Sequence, residues 1–204
     1  MGAPRAVGIT STIPLEIPWA AGRRVVDLNN RFISHPRRER LLEEAEREGF
    51  PASCCAWIKG IWRVALSEPL EEVIGVTQGD CSNTHALLEQ LQARGVRVVY
   101  FNYPWPPSRE EMLRSLRRLM EHYGVGEAEV ARAKERLDRI RRKLVRLDEL
   151  TWREDRVSGE ENHRFLVTAS DMAGDPERFE AELDAFLREA AARPPRPPRL
   201  RLAY

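Results

Sequence analysis

Val73-Ile74-Gly75-Val76-Thr77-Gln78-Gly79-Asp80-Cys81-Ser82-Asn83-Thr84-His85 decides the architecture. An apolar run of strand length comes first, and a helical pattern through Leu87, Leu88 and Leu91 follows, closed by Gly95. Cys81 therefore falls on a strand-to-helix turn, where open α/β sheets put their chemistry. The partial positive charge of a helix N-terminus favours thiolates, the form of cysteine that binds metal or attacks. Residues 54–61, Cys-Cys-Ala-Trp-Ile-Lys-Gly-Ile, hold the other two of the three cysteines and read as a turn leading into a helix through Ile61 and Val64.

Working outward, residues 5–10 read as a first buried strand and residues 24–28 as a second. Between them, Ser11 and Thr12 are placed to cap a helix entered at Pro14 and ended by Gly22. Residues 37–48 form a charged helix stopped by Gly49, and residues 96–101 a fourth strand. This alternation is that of βαβ units, so the expected fold is α/β: three layers, α/β/α, around a mainly parallel Rossmann- or flavodoxin-like sheet.

Past the prolines at 104, 106 and 107 the chain turns helical. Ser108 and Glu111 have the spacing of a capping box before a helix with Met112, Leu113, Leu116, Leu119 and Met120 on one side. A long helix is expected over about residues 127–153, with Val130, Ala133, Leu137, Ile140, Leu144 and Leu147 as one apolar seam. Residues 157–169 fit helix or strand. Asp175-Pro176 opens a last helix carrying Phe179, Leu183, Phe186 and Leu187. The expected organisation is an α/β domain with a long helical C-terminal extension over residues 1–192. A proline-rich linker and the first strand of a further domain follow over 193–204.

Bulk properties narrow the function. The chain has 204 residues, 42% apolar and 32% charged, with a formal net charge of +1. That balance is globular and offers no electrostatic argument for nucleic acid or a membrane surface, and its basic residues are interleaved with acidic ones. Lysine stands only at 59, 134 and 143, so arginine carries most of the positive charge. No segment has the apolar length of a membrane span, and the N-terminus lacks a signal-type core, so a cytoplasmic location is the default. An odd number of cysteines, two of them adjacent, is a poor disulfide framework. There is no P-loop, no G-x-G-x-x-G fingerprint and no nucleophile elbow.

Five stretches together carry a family resemblance: Gly8-Ile-Thr-Ser-Thr-Ile-Pro-Leu-Glu16, Asp27-Leu-Asn-Asn30, Cys55-Ala-Trp-Ile-Lys-Gly60, Gln78-Gly-Asp-Cys-Ser-Asn-Thr-His85 and Glu161-Asn-His163. In order and spacing the chain, over residues 5–204, resembles the N-terminal half of the 2-hydroxyacyl-CoA dehydratases, a family that includes the catalytic subunits of benzoyl-CoA reductase. The resemblance implies two similar α/β domains with a 4Fe–4S cluster held between them by three cysteines. An ATP-dependent iron–sulfur activator injects one electron, and the acyl-CoA thioester, as a ketyl radical anion, loses its α-hydroxyl. ATP is needed only by that separate activator. By position Cys55 and Cys81 match the first two cluster ligands. The third belongs to the second domain, so a missing domain or partner subunit and a homo- or hetero-oligomer are expected. Cys54 is a substitute ligand on paper, but adjacent cysteines diverge in direction.

Each remaining residue has two readings. Cys55 and Cys81 are cluster ligands or small buried hydrophobes. Asp80, Ser82 and Asn83 surround the cluster as cofactor-binding donors, or cap the following helix. Ser11 and Glu16, after the first strand, face the acyl-thioester as catalytic groups, with Glu16 in proton transfer; or Ser11 caps and Glu16 favours a helix start. Trp57 and Lys59 shield the cluster and meet CoA phosphates, or pack and solvate. His85 is a proton carrier or a satisfied histidine, and His163 has no second ligand at metal spacing. Three functions follow: a 2-hydroxyacyl-CoA dehydratase component, a benzoyl-CoA-reductase-like subunit, and a non-catalytic half-domain that binds a cluster or partner.

Overall fold

Among the described residues four strands build the sheet: β1 (Ala6–Ile9), β2 (Arg24–Asp27), β3 (Leu70–Gln78) and β4 (Val98–Asn102). All neighbours are parallel, in the order β2-β1-β3-β4. β1 is buried along its whole length, and Val73, Ile74 and Val76 of β3 are fully buried. Continuous burial is what a parallel sheet requires when helices cover it. The computed structural model describes residues 5–196, and the expected strand at 200–204, with Pro197 and Pro198 of the linker, lies outside them.

The order reverses between β1 and β3: the chain steps one way to β2 and then the other way to β3. Such a switch point opens a crevice at the C-terminal ends of the two central strands. Around the sheet stand α1 (Glu16–Ala20), α2 (Leu28–Ile33), α3 (Arg38–Arg47), α4 (Ala56–Ser67), α5 (Asn83–Ala93) and α6 (Arg109–Tyr123). One core cluster joins Ala6, Val26 and Val73 of the strands to Leu28 and Phe32 of α2, Leu41 of α3, Ile61 and Trp62 of α4, and Leu87, Leu88 and Leu91 of α5. α1 and α6 touch one another; α1 also meets β2, and α6 meets β4. The expectation of an α/β fold with a parallel sheet is met.

Three local expectations are corrected. The second strand stops at Asp27, and Leu28 begins a helix that the sequence reading left out. The Asp27 carboxylate accepts from the amides of Asn29 and Asn30 at 2.8 and 3.4 Å, which caps α2 and ends the strand. Secondly, α1 begins at Glu16 with Leu15 as its cap residue and no side-chain cap, so Ser11 and Thr12 do not cap it. Thirdly, Ser108 accepts from the Glu111 amide at 3.3 Å, while the Glu111 carboxylate lies 3.4 Å from Arg114.

The chain divides into two compact units, residues 1–133 and 134–204. Helix α7 (Glu127–Trp152) runs across the division. Its seam residues Leu137, Ile140, Leu144 and Leu147 are buried, as the spacing predicts, and Leu150 extends the seam. Residues 157–169 resolve as helix α8 (Gly159–Thr168), closed by a reciprocal capping box between Ser158 and Glu161. Helix α9 (Pro176–Ala192) starts at Asp175, whose carboxylate accepts from the Arg178 amide at 3.0 Å. Lys143 ties α7 to Glu180 and Asp184 of α9, both at 2.7 Å. Among the described residues no helix is long and apolar enough to cross a membrane.

Candidate functional site

A pocket of about 330 Å³ opens at the C-terminal edge of the sheet, at the switch point. Thr10, Ser11 and Thr12 come from the loop after β1, Asp27 and Asn29 from the end of β2 and the start of α2. Cys55 and Trp57 come from the start of α4, and Asp80, Cys81 and Thr84 from the turn after β3 and the first turn of α5. Two thiols 26 positions apart in sequence thus border one cavity, each beside a helix N-terminus.

Local chemistry explains each placement. Gly79 has φ +90°, and a Cβ there would lie 2.7 Å from the Cβ of Tyr103, so the turn after β3 needs glycine. The Asp80 carboxylate then accepts from the Cys81 amide at 2.7 Å, which orients the loop. Ser82 is the cap residue of α5 but makes no side-chain cap bond. On the other wall Cys55 is the cap residue of α4, again with no side-chain cap bond. Gly60 lets α4 approach α2 closely, because a Cβ there would meet the Phe32 ring at 2.3 Å.

A hydrogen-bonded network holds the floor. Asp27 is 6% exposed and accepts from the side chain of Asn29 at 2.9 Å. The Asn29 side-chain amide also donates to the Thr10 carbonyl at 3.0 Å, and its oxygen accepts from Trp57 Nε1 at 2.5 Å. The Thr10 hydroxyl accepts from the Val76 amide at 3.3 Å. One amide side chain thereby links the ends of β1 and β2 to α4. Sequence reasoning gave Asp27 and Asn29 no site role. The signal was an aspartate directly after an apolar strand and before Leu-Asn-Asn, a cap pattern.

Among the expected site residues, Cys55, Cys81, Ser11, Asp80 and Trp57 line this pocket, and Ser82, Asn83 and Glu16 do not. Glu16 is half-buried at the start of α1. Burial pushes the Tyr103 phenol above its ordinary range, and the Glu16 carboxylate adds to that. Tyr103 in turn donates to the Thr12 carbonyl at 2.9 Å, which ties the loop that carries Ser11 to the end of β4. Lys59 is buried rather than offered to a phosphate: it lies 2.6 Å from Glu46 and donates to the Ala52 carbonyl at 3.2 Å. His85 and His163 are exposed and outside the pocket.

Cys55 and Cys81 are free and exposed, so neither is a buried apolar filler, whereas Cys54 is half-buried and packs against the core cluster. Soft thiol donors on a shared cavity suit an iron–sulfur cluster. Among the described residues, however, no group of three or more His, Cys, Asp or Glu is gathered to hold a metal. The residues present fit part of such a ligand set, and completion needs a donor from elsewhere. A family model described as "2-hydroxyglutaryl-CoA dehydratase, D-component" matches residues 10–203. No curated protein matches the chain.

Proposed function

Because the chain belongs to the 2-hydroxyglutaryl-CoA dehydratase D-component family, we propose that it is the cluster-bearing part of an enzyme that removes water from a 2-hydroxyacyl-CoA. Two free thiols on one pocket at the switch point of a parallel sheet are the observation that carries this reading. In it, the three-layer Rossmann- or flavodoxin-like scaffold with its helical extension covers residues 1–192, and a further domain or partner subunit supplies the third cluster ligand. A separate ATP-dependent activator delivers the electron, and the assembly works in the cytoplasm.

In this reading Cys55 and Cys81 would hold a 4Fe–4S cluster. When bound, the cluster would supply one-electron and Lewis-acid chemistry. The chain's own groups do the rest. Asp80 fixes the Cys81 turn through its bond to the Cys81 amide. Trp57, anchored by Asn29, forms one wall of the cavity. Ser11 offers a hydroxyl to the thioester or leaving hydroxyl from the loop after β1. Ser82 and Asn83 support the turn from the start of α5. Glu16, at the start of α1, takes the proton-transfer role, and Glu16→Gln tests it separately.

Oxygen-free purification of the chain with its partner subunit, followed by iron and sulfide counts, tests the assignment. Cys55→Ser and Cys81→Ser each lose the bound iron; unchanged iron in either variant removes that residue from the ligand set. Assay with activator, ATP and 2-hydroxyacyl-CoA then reads the elimination itself.

A further inference from the structure

A second cavity on the same sheet edge has a different chemistry. It encloses about 210 Å³ and is lined by Gln78 and Asn102 at the ends of β3 and β4, by Pro104, and by Glu111, Arg114, Ser115 and Arg118 of α6. Gln78 and Asn102 are cross-strand partners, and both line the cavity. At about 30 Å³ per water, the space admits one tetrahedral oxyanion with some of its hydration.

We propose that this cavity is an oxyanion-binding site of the phosphate class, held chiefly by Arg118 and Ser115. Arg118 has no ion pair among the described residues, although the chain is dense in carboxylates. It stands one turn beyond Arg114, and like charges at that spacing repel on a helix. Glu111 also lines the cavity, but its carboxylate is taken up with Arg114 at 3.4 Å, and Glu110 binds the same guanidinium at 2.8 Å. Arg118 is therefore the uncompensated charge.

Ser115 is the second, independent observation. It is only 7% exposed in the middle of a helix, and its hydroxyl has no hydrogen-bond partner among the described residues. The Ser115 hydroxyl reaches the open cavity and is free to bond a ligand oxygen there. Asn102 extends the donor set: its side-chain oxygen accepts from the Thr77 hydroxyl at 2.6 Å, which leaves its NH₂ group unpaired among the described residues. A guanidinium, a hydroxyl and a carboxamide N–H converging on one small cavity recognise phosphate oxygens.

The phosphate arrives as a free ion or as part of a nucleotide-bearing ligand. Calorimetric titration of the full chain with inorganic phosphate and with adenosine 3′,5′-bisphosphate tells the two apart. Tighter binding of the bisphosphate assigns the site to a nucleotide-borne phosphate, and equal binding assigns it to the free ion. Arg118→Ala weakens phosphate binding by about tenfold or more, and Ser115→Ala by about threefold. Arg117→Ala, a neighbouring exposed arginine that does not line the cavity, leaves it unchanged. No saturable binding, or an equal loss in Arg117→Ala and Arg118→Ala, overturns the proposal. Cys81→Ser keeps phosphate binding, so failure of the cluster assignment and failure of this site are separate results.

Discussion

The two ends of the sheet treat polar groups in opposite ways. At the N-terminal end, Glu72 of β3 is 2% exposed and fully engaged: Tyr123 donates to it at 2.7 Å, and His122 Nε2 lies 3.0 and 3.1 Å from its two oxygens. Glu71 beside it is ringed by Arg5, Arg23 and Arg97. At the C-terminal end, two thiols, a buried serine and an arginine line cavities without protein partners. The first end spends most of its polarity on itself, although Glu71 Oε2 and Arg23 Nε make no hydrogen bond and meet only as an ion pair at 3.6 Å, and it locks the end of α6 to the sheet. The second satisfies Asp27, Asn29 and Thr10 but leaves the thiols, Ser115 and Arg118 facing open space. A buried polar group that is satisfied is architecture, while one left wanting at a cavity invites a ligand.

If that contrast is right, substitutions at the two ends separate stability from ligand loading. The largest effect belongs to Cys81→Ser, which abolishes bound iron in the assembled, oxygen-free protein. The metal-free chain keeps its urea midpoint, because an exposed thiol contributes within about 0.5 kcal/mol. A large loss of stability would place Cys81 in the core.

Next in size is Glu72→Ala. It leaves the Tyr123 hydroxyl and the His122 ring without their acceptor and lowers stability by about 3 kcal/mol. Urea denaturation measures this, and iron loading of the folded fraction stays intact. Lost iron at full stability would reverse the assignment of the two ends.

Tyr123→Phe costs less, about 1–2 kcal/mol, for one buried charged hydrogen bond. It also has a pH signature. Burial first, and then the bond to Glu72, raise the Tyr123 phenol well above its ordinary value of 10.0. The folded chain thus holds this proton after the unfolded chain has released it. The tyrosine's contribution is complete below about pH 10 and declines as the pH rises beyond it. Urea midpoints between about pH 9 and 11 fall more steeply in the parent than in Tyr123→Phe; parallel slopes would defeat the claim.

The smallest effect is Arg114→Ala on the surface of α6, where exposed pairs with Glu110 and Glu111 contribute about 0.3–0.5 kcal/mol each. A loss above about 1 kcal/mol would mean that this end also carries architecture.

Much of this was legible in the chain because the signals are local. The apolar run at 73–77 announces β3, the Asp175-Pro176 pair announces α9, and the three- and four-residue steps of the α7 seam announce its buried side. Ambiguity at 157–169 vanished only when both halves of the Ser158–Glu161 box could be seen to close. α2 was missed because Asp27 reads equally well as the last residue of a strand, and only its bonds to Asn29 and Asn30 make it a cap.

Of the site, the residue types and the family were readable from the cysteine-bearing turns. Which of them share a cavity was not. By itself the sequence determined the α/β alternation, the turn on which Cys81 stands and the family, since these rest on short-range periodicity and ordered motifs. Only the tertiary structure decided that Cys55 and Cys81 border one pocket, that Asn29 ties three elements together, and that Gln78 and Asn102 sit beside Arg118. Parallel strands are hydrogen-bonded in register across long loops, so the neighbours that matter for binding are set by strand order and close helix approach, which no local pattern of residues encodes.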